Sequence, residues 1–536
     1  MASAATTPSL ARGAAITTAA TAASRLTGFV RVVVVASAMG TTFLANTYQT
    51  ANTAPNVVFE LVAAGVLTSI FVPTFVDYLV RGQREEGWAA ANALTSVALV
   101  ALVGLSLLVA LTAPWIMRLL TLGVSSEVLR EREIELGTTF LILFAPQITF
   151  YGAGMIMTGA LHAHRRFGLA ALAPIFNNVV VIGAYVTYAV MRGSRPASVR
   201  GITPAETWVL GLGTTLGVVA MTVCLIPQLR RLGWRFRFRP SLSHPAVRKG
   251  ARLGAWALGY AGGYQAGLIV VLLLANGVQG GVAAYQWAYT FFYLPHALFG
   301  VPIFNVLFTA MSEHVARRET DEMLGRLEDG LGMLGFILIP IAALLLAVGE
   351  PLAEVTLRYG VMTDAGARLV GRVIQAFALG LPTYSCFLVF TRAFYAIGDT
   401  KTPALVNAMT VAVASALGAV LFLSLPRGWE VPGLALGHSA GFLLGAVVLG
   451  RSLMRRAGGR GSVQLRRALA RSTVLAVVAL GVMASISSLI PRGSNVAALS
   501  ALAITSAMGA LVYLVGMAAI RAPELQRLRA LRRPAR

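Results

Sequence analysis

Residues 13–37 read GAAITTAATAASRLTGFVRVVVVAS. The stretch holds no acidic residue and two basic ones, Arg25 and Arg31. About 20 apolar residues in a helix cross roughly 30 Å of hydrocarbon, so this run has the length and solvent preference of a transmembrane helix. Working outward from it, further apolar runs fall at 45–78, 89–112, 136–160, 168–190, 207–227, 251–275, 283–311, 330–348, 369–396, 403–424, 431–450, 472–490 and 495–519. They are continuous and rich in Ala, Leu, Val and Gly. A membrane β-barrel would instead alternate over about ten residues. The expectation is an all-α polytopic membrane protein of about fourteen transmembrane helices.

Composition agrees. The chain has 536 residues, 57% hydrophobic and 12% charged, with a mean hydropathy of +0.74. A soluble domain carries about 25% charged residues. The opening segment, Met1 to Arg12, is small and polar and does not read as a cleaved signal. The net charge of +23 would suit nucleic-acid binding in a soluble chain, but the charges here sit in short loops between apolar runs, so no nucleic-acid partner is expected. Threading the spans with the N-terminus inside, and counting Arg252 and Arg372 near their span ends with the adjoining loops, puts thirty of the 44 Lys and Arg residues in inner segments and eleven in outer loops. Arg25, Arg31 and Arg392 remain within spans. That bias fits the positive-inside rule with both termini cytoplasmic. Cys224 and Cys386 fall inside apolar runs and read as small buried hydrophobes.

Two basic loops divide the chain. The expected organisation is a lobe of six helices over 1–227, a basic linker at 228–250, and a second lobe of six helices over 251–450. A basic loop at 451–471, two further helices at 472–520 and a basic tail at 521–536 follow. Pro55 in the second span and Pro295 in the eighth occupy similar places in the two halves. Repeated halves with interrupted helices are common in secondary transporters, with the substrate site between them.

The polar residues inside the spans carry the chemistry. Thr17, Thr21, Ser24, Gly28 and Arg31 recur at steps of four and three and share one helix face, with Arg25 beside it. An Arg at mid-bilayer costs roughly 2.5–3.5 kcal/mol even on the mild insertion scale. A water-filled cavity or anionic partners would offset that cost; snorkelling to a membrane surface is the alternative. In the second span Gln49, Asn52, Thr53, Asn56 and Glu60 share a face that Asn46 extends. These groups would line the same cavity, or bond neighbouring helices. Glu60 is the candidate counter-charge for Arg25 or Arg31. Tyr289, Tyr293 and His296 near Pro295, and Arg392 in the tenth span, are further polar positions that packing or snorkelling would also explain. The candidate substrate-binding residues are Arg25, Arg31, Asn46, Asn52, Asn56 and Glu60, with Ser24, Gly28, Tyr293 and Arg392 beside them. No catalytic or metal-ligand motif is found, so neither an enzyme nor a bound cofactor is expected.

Several motifs resemble the MurJ (MviN) lipid II flippase family. Ser24-Arg25-Leu26-Thr27-Gly28-Phe29-Val30-Arg31 with Gly40 resembles its first helix, and Pro55-Asn56 and Phe71-Val72-Pro73 its second. Arg166-Phe167 with Pro174 and Asn178, and Arg392-Ala393-Phe394-Tyr395-Ala396 with Asp399-Thr400-Lys401-Thr402-Pro403, resemble two later helix junctions. The resemblance implies the fold of the MOP exporter superfamily: two six-helix lobes in a V, plus two C-terminal helices lining a groove for a polyprenyl tail. It implies alternating access that moves lipid II, an undecaprenyl-diphosphate-linked disaccharide peptide, from the inner to the outer leaflet of the bacterial cytoplasmic membrane. Arg25 and Arg31 would engage the diphosphate-sugar head. Membrane lipids and proteins of cell-wall synthesis are candidate partners, and coupling to the membrane potential or to a monovalent cation stays open. The sequence departs from the family at Asn46 (often Asp), Phe59 and Glu60 (often two basic residues), Ala64 (often Glu) and Thr290 (often Arg). Its seventh helix, Leu268 to Leu274, lacks the acid of a sodium site known in some members. A flippase for another polyprenyl-diphosphate oligosaccharide, a small-molecule antiporter of the same superfamily, and a membrane-embedded glycosyltransferase or ligase remain alternatives.

Overall fold

The structure is a computed structural model describing residues 8–80, 84–164, 166–241, 262–263, 265–456, 463–490 and 495–526. Its elements are helices throughout. The first unit, Met1–Val282, contains α1 (Pro8–Met39), α2 (Phe43–Val80), α3 (Arg84–Leu120), α4 (Glu127–Phe144), α5 (Gln147–Ala163), α6 (Gly168–Arg192), α7 (Pro204–Val223) and α8 (Ile226–Arg231). A shorter apolar helix, α9 (Gln265–Ala275), completes it. The second unit, Ala283–Arg536, takes most of α10 (Gly281–Pro295), a wide π turn (His296–Gly300), and α11 (Val301–Ala316), α12 (Thr320–Leu357) and α13 (Asp364–Ala378). It continues with α14 (Leu381–Ala396), α15 (Lys401–Ser424), α16 (Glu430–Arg456), α17 (Val463–Leu489) and α18 (Asn495–Ala519).

Among the described residues, 11 helices are long and apolar enough to cross a membrane, or 12 if α13 and α14 form one bent span. The chain is a multi-pass membrane protein. The expected second span is the 38-residue helix α2. The expected seventh span, 251–275, lies partly outside the described residues, and its described part is α9.

Local sequence explains where the helices start and break. Thr203 accepts from Glu206 N while Glu206 reaches back to Thr203 N, a reciprocal cap with Pro204 at the first helical turn of α7. Pro146 lacks the N–H that would continue the ladder, and the fourth span divides there into α4 and α5. The tenth span bends by 46° between α13 and α14. Gly380 sits at that bend, where a Cβ would stand 2.6 Å from Ser439 Oγ and 2.8 Å from Ser439 Cα. Only glycine lets α16 approach so closely.

Each unit has its own means of cohesion. In the first, Tyr48 of α2 is fully buried and meets Phe140 and Phe144 of α4 edge-on at 5.5 Å and Tyr185 of α6 at 5.8 Å. Such pairs add about 0.5–1.5 kcal/mol beyond their area. In the second, α16 lays Gly433, Gly437, Gly441 and Gly445, spaced by four, against Leu421, Gly418, Ala414 and Thr410 of α15. A Cβ on Gly437 would come within 2.4 Å of the Gly418 nitrogen. Close backbone approach of this kind replaces the hydrophobic effect where lipid is as apolar as leucine. At one end of this seam Arg456 pairs with Asp399 at 2.7 Å and donates to Thr402. The last two helices pack on α12: Ala476, Ala479, Met483, Tyr513 and Met517 bury themselves with Phe336 and Ala343. Tyr513 donates to the Phe336 carbonyl at 2.9 Å.

Candidate functional site

The first helix carries its arginines as the spacing predicts, in different surroundings. Arg25 is exposed and Arg31 half-buried. The charge of Arg31 acts on the hydroxyls of Tyr48, Tyr151 and Tyr185, which come from α2, α5 and α6. Glu60 acts on the same Tyr151 hydroxyl. The guanidinium of α1 and the carboxylate of α2 therefore share one polar neighbourhood. Tyr151 is oriented by stacking on Phe59 at 5.2 Å.

The tyrosines are wired in a fixed direction. Thr214 Oγ1 donates to the Leu210 carbonyl at 2.7 Å, so its only proton is committed. Tyr48, in hydrogen-bond contact with Thr214, must then donate to it. Tyr185, 3.0 Å from the Tyr48 oxygen, must donate to Tyr48 in turn. A one-way chain runs Tyr185 to Tyr48 to Thr214 to Leu210, and it leaves the Tyr185 oxygen with free acceptor capacity.

The polar face of α2 splits into two roles. Asn46 is completely buried. Its Nδ2 donates to Val278 O at 2.8 Å and its Oδ1 accepts from Val282 N at 3.1 Å. Thr50 donates to Asn276 Oδ1, and Asn276 donates to Leu120 O at 2.9 Å. This end of the face clamps α2 to the turn after α9. Farther along, α2 runs unbroken through Pro55. Thr53 bonds back to Gln49 O at 2.7 Å and Asn56 to Asn52 O at 2.9 Å. Glu60 accepts from Gln265 of α9. Here two amide oxygens, Asn52 Oδ1 and Gln265 Oε1, are buried without a donor among the described residues. Such orphans cost about 1–3 kcal/mol each unless water or a ligand supplies the hydrogen.

Ser24 and Gly28 face α6. Asn178 donates to Thr27 Oγ1 at 2.9 Å and to Ser24 O at 3.4 Å, and a Cβ on Gly28 would lie 3.6 Å from Asn178. This contact joins the two quoted motifs, Ser24–Gly28 and Asn178. Tyr293 and Arg392 belong to the second unit. Tyr293 stacks on Tyr289 at 6.0 Å and tilts onto His296, whose ring bonds Ser385 at 2.8 Å. The Arg392 guanidinium rests over Phe304, Phe308 and Tyr395 at 5.4, 5.6 and 6.0 Å. Among the described residues, no three His, Cys, Asp or Glu side chains converge on a metal position.

Sequence reasoning missed Tyr48, Tyr151, Tyr185 and Gln265. Tyr48 shares the face of Asn52 at a spacing of four, which was an available signal; the others sit singly in apolar runs.

The probable lipid II flippase MurJ of Rhizobium tropici is 27% identical over 471 residues, 87% of this chain and 84% of that one. The lipid II flippase MurJ of Burkholderia cenocepacia is 24% identical over 81% of each chain. A solved structure of lipid II flippase MurJ in an inward closed conformation superposes with a TM-score of 0.76 at 20% identity, covering 94% of this chain and 98% of that one. An inward-facing multidrug-resistance transporter of the MATE family, in the MOP superfamily, superposes at 0.65 with 13% identity over 83% of this chain and 96% of its own. These two likenesses establish the fold. The family described as lipid II flippase MurJ matches residues 35–503, so the chain belongs to the MurJ lipid II flippase family.

Proposed function

We propose that this chain flips lipid II from the inner to the outer leaflet of the bacterial cytoplasmic membrane by alternating access, with both termini cytoplasmic. It acts as a transporter and performs no covalent chemistry. The observation that carries the reading is the placement of Arg31: a guanidinium in an apolar helix, half-buried, acting on three tyrosine hydroxyls. Arg matches a diphosphate through its planar bidentate fork. Tyrosine hydroxyls and orphaned amide oxygens suit a sugar-peptide head, which presents both donors and acceptors. Arg25, exposed on the same helix, meets the head first, and Asn52, Asn56 and Glu60 line its path. The polyprenyl tail lies along α17 and α18. An antiporter for cationic drugs would want a surplus of carboxylates here, and this neighbourhood supplies Glu60 against Arg31.

The membrane potential acts on such a cationic site with about 2.3 kcal/mol per charge per 100 mV, which favours returning the empty site to the cytoplasmic side. The test is depletion of the native protein followed by complementation. Arg31→Ala should leave lipid II accumulating in the inner leaflet at normal protein levels, and Arg31→Lys should restore part of the transport. Normal growth and normal flipping by Arg31→Ala would overturn the assignment.

A further inference from the structure

The first unit contains a carboxyl group that the substrate site does not use. Glu133, one and a half turns into α4, has no solvent exposure. Neither of its oxygens accepts a hydrogen bond from the described residues. It stands on the inward stripe of α4 with Gly137, Phe140 and Phe144, at spacings of four, three and four. Gly137 on that stripe touches Thr47 of α2 and Met117 of α3, and the Thr47 hydroxyl lies beside the Glu133 carboxyl.

That hydroxyl is not a donor to Glu133. Thr47 Oγ1 gives its proton to the Phe43 carbonyl at 2.8 Å, so toward Glu133 it offers lone pairs. An ionised carboxylate would face lone pairs in a dry site, at a cost of several kcal/mol. A carboxyl carrying a proton buries no charge and avoids most of that cost.

The surrounding charges do not change this balance. Arg130, one turn back, sends Nη2 to the Arg118 carbonyl at 3.3 Å. Arg132 and Glu135 pair with each other at 2.9 Å on the exposed side, where Glu127 and Glu131 also lie. On α7, Glu206 is engaged by Arg195 and by Thr203 N. On α2, the Tyr48 hydroxyl is committed to Thr214, and Glu60 holds Gln265. A metal cation would need several oxygens converging on it, and the described residues offer the carboxyl and one hydroxyl.

We propose that Glu133 is a proton-binding site whose occupancy is tied to the packing of α4 against α2. In the packed arrangement Glu133 keeps its proton, buried between α4 and α2. Release of the proton leaves a charge that must reach water, which requires the α2–α4 contact to open. Transport by this chain is thereby coupled to one proton per site. The coupling rests on the transport reading; the protonation state of Glu133 does not.

Two measurements test the two parts. Infrared difference spectra of the purified full-length protein at neutral pH should show the carbonyl stretch of a protonated carboxyl that is absent from Glu133→Gln. Lack of that band, or a response to sodium in its place, overturns the site. Reconstituted lipid II flipping should vary with pH in the wild type, by at most about tenfold per pH unit, the slope of one linked proton. Glu133→Gln should flip at a rate independent of pH over that range, and Thr47→Val should displace the profile. An unchanged profile in Glu133→Gln overturns the coupling. If the band is present and no lipid II moves at any pH, the transport reading fails and the coupling falls with it.

Discussion

Removing the Tyr48 hydroxyl should cost more than removing the Tyr185 hydroxyl, although each substitution deletes one oxygen atom. The direction of the donor chain sets the difference. In Tyr48→Phe, Tyr185 loses its acceptor, so a buried O–H donor is orphaned, and Thr214 loses an incoming bond. An orphaned donor costs about 1–3 kcal/mol, and hydrogen bonds between membrane helices average about 0.6 kcal/mol with a maximum near 1.7. We expect about 1.5 kcal/mol for Tyr48→Phe, roughly a tenfold shift of the unfolding equilibrium. In Tyr185→Phe, Tyr48 still donates to Thr214 and loses only an incoming bond, so about 0.6 kcal/mol is expected. The double variant orphans no donor and should cost less than the sum of the two. Reversible unfolding in mixed micelles measures all three. Equal costs, a larger cost for Tyr185→Phe, or strict additivity would refute the directed chain.

Other consequences are as specific. Asn46→Asp replaces the donor that faces the Val278 carbonyl with an acceptor; unfolding should become easier by about 2 kcal/mol, while Asn52→Asp, on the half-buried part of α2, should cost less. Gly437→Leu should abolish folded protein in size-exclusion profiles, because its side chain would enter the α15 backbone. Asp399, in the turn before α15, is held at about 2 by the Thr402 N–H, then by the Thr402 hydroxyl and Arg456. Its folded value lies below its unfolded one, so the stability it adds is present above about pH 4 and lost as pH falls toward 2. Asp399→Asn should lower the melting temperature at pH 7 and narrow its gap to the wild type in acid.

The helices were legible because twenty apolar residues leave a membrane protein little choice. The polar face of α2 was legible for a similar reason: Gln49, Asn52, Thr53, Asn56 and Glu60 repeat at the helical period. The division of labour on that face was not. Asn46 and Asn52 are the same residue type less than two turns apart, and only the distant partners, Val278 and Val282, make one a clamp. Tyr151 and Tyr185 gave no signal because their place in the field of Arg31 depends on three helices far apart in sequence. Glu133 was hidden in a different way. The run Arg130-Glu131-Arg132-Glu133-Ile134-Glu135 reads as a solvated surface by composition, and only its register with Gly137 and Phe140 turns one of its acids inward. The junction motif Asp399-Thr400-Lys401-Thr402 has a plain structural meaning once seen: Asp399 accepts from the backbone and hydroxyl of Thr402 at 2.9 and 2.7 Å and caps α15.

The glycine row of α16 behaves mechanically unlike the laced contacts of the first unit. Four notches at intervals of four residues, about 6 Å at 1.5 Å per residue, receive Leu421, Gly418, Ala414 and Thr410 of α15. Axial sliding between α15 and α16 would carry these α15 atoms out of the notches and onto side chains of α16, and Ser439 of α16 is also bonded to the Ala376 carbonyl at 2.9 Å. The Asp399–Arg456 ion pair closes one end of this seam, but the interlock along its length fixes the register, so the two helices move as one rod whether or not the pair is made.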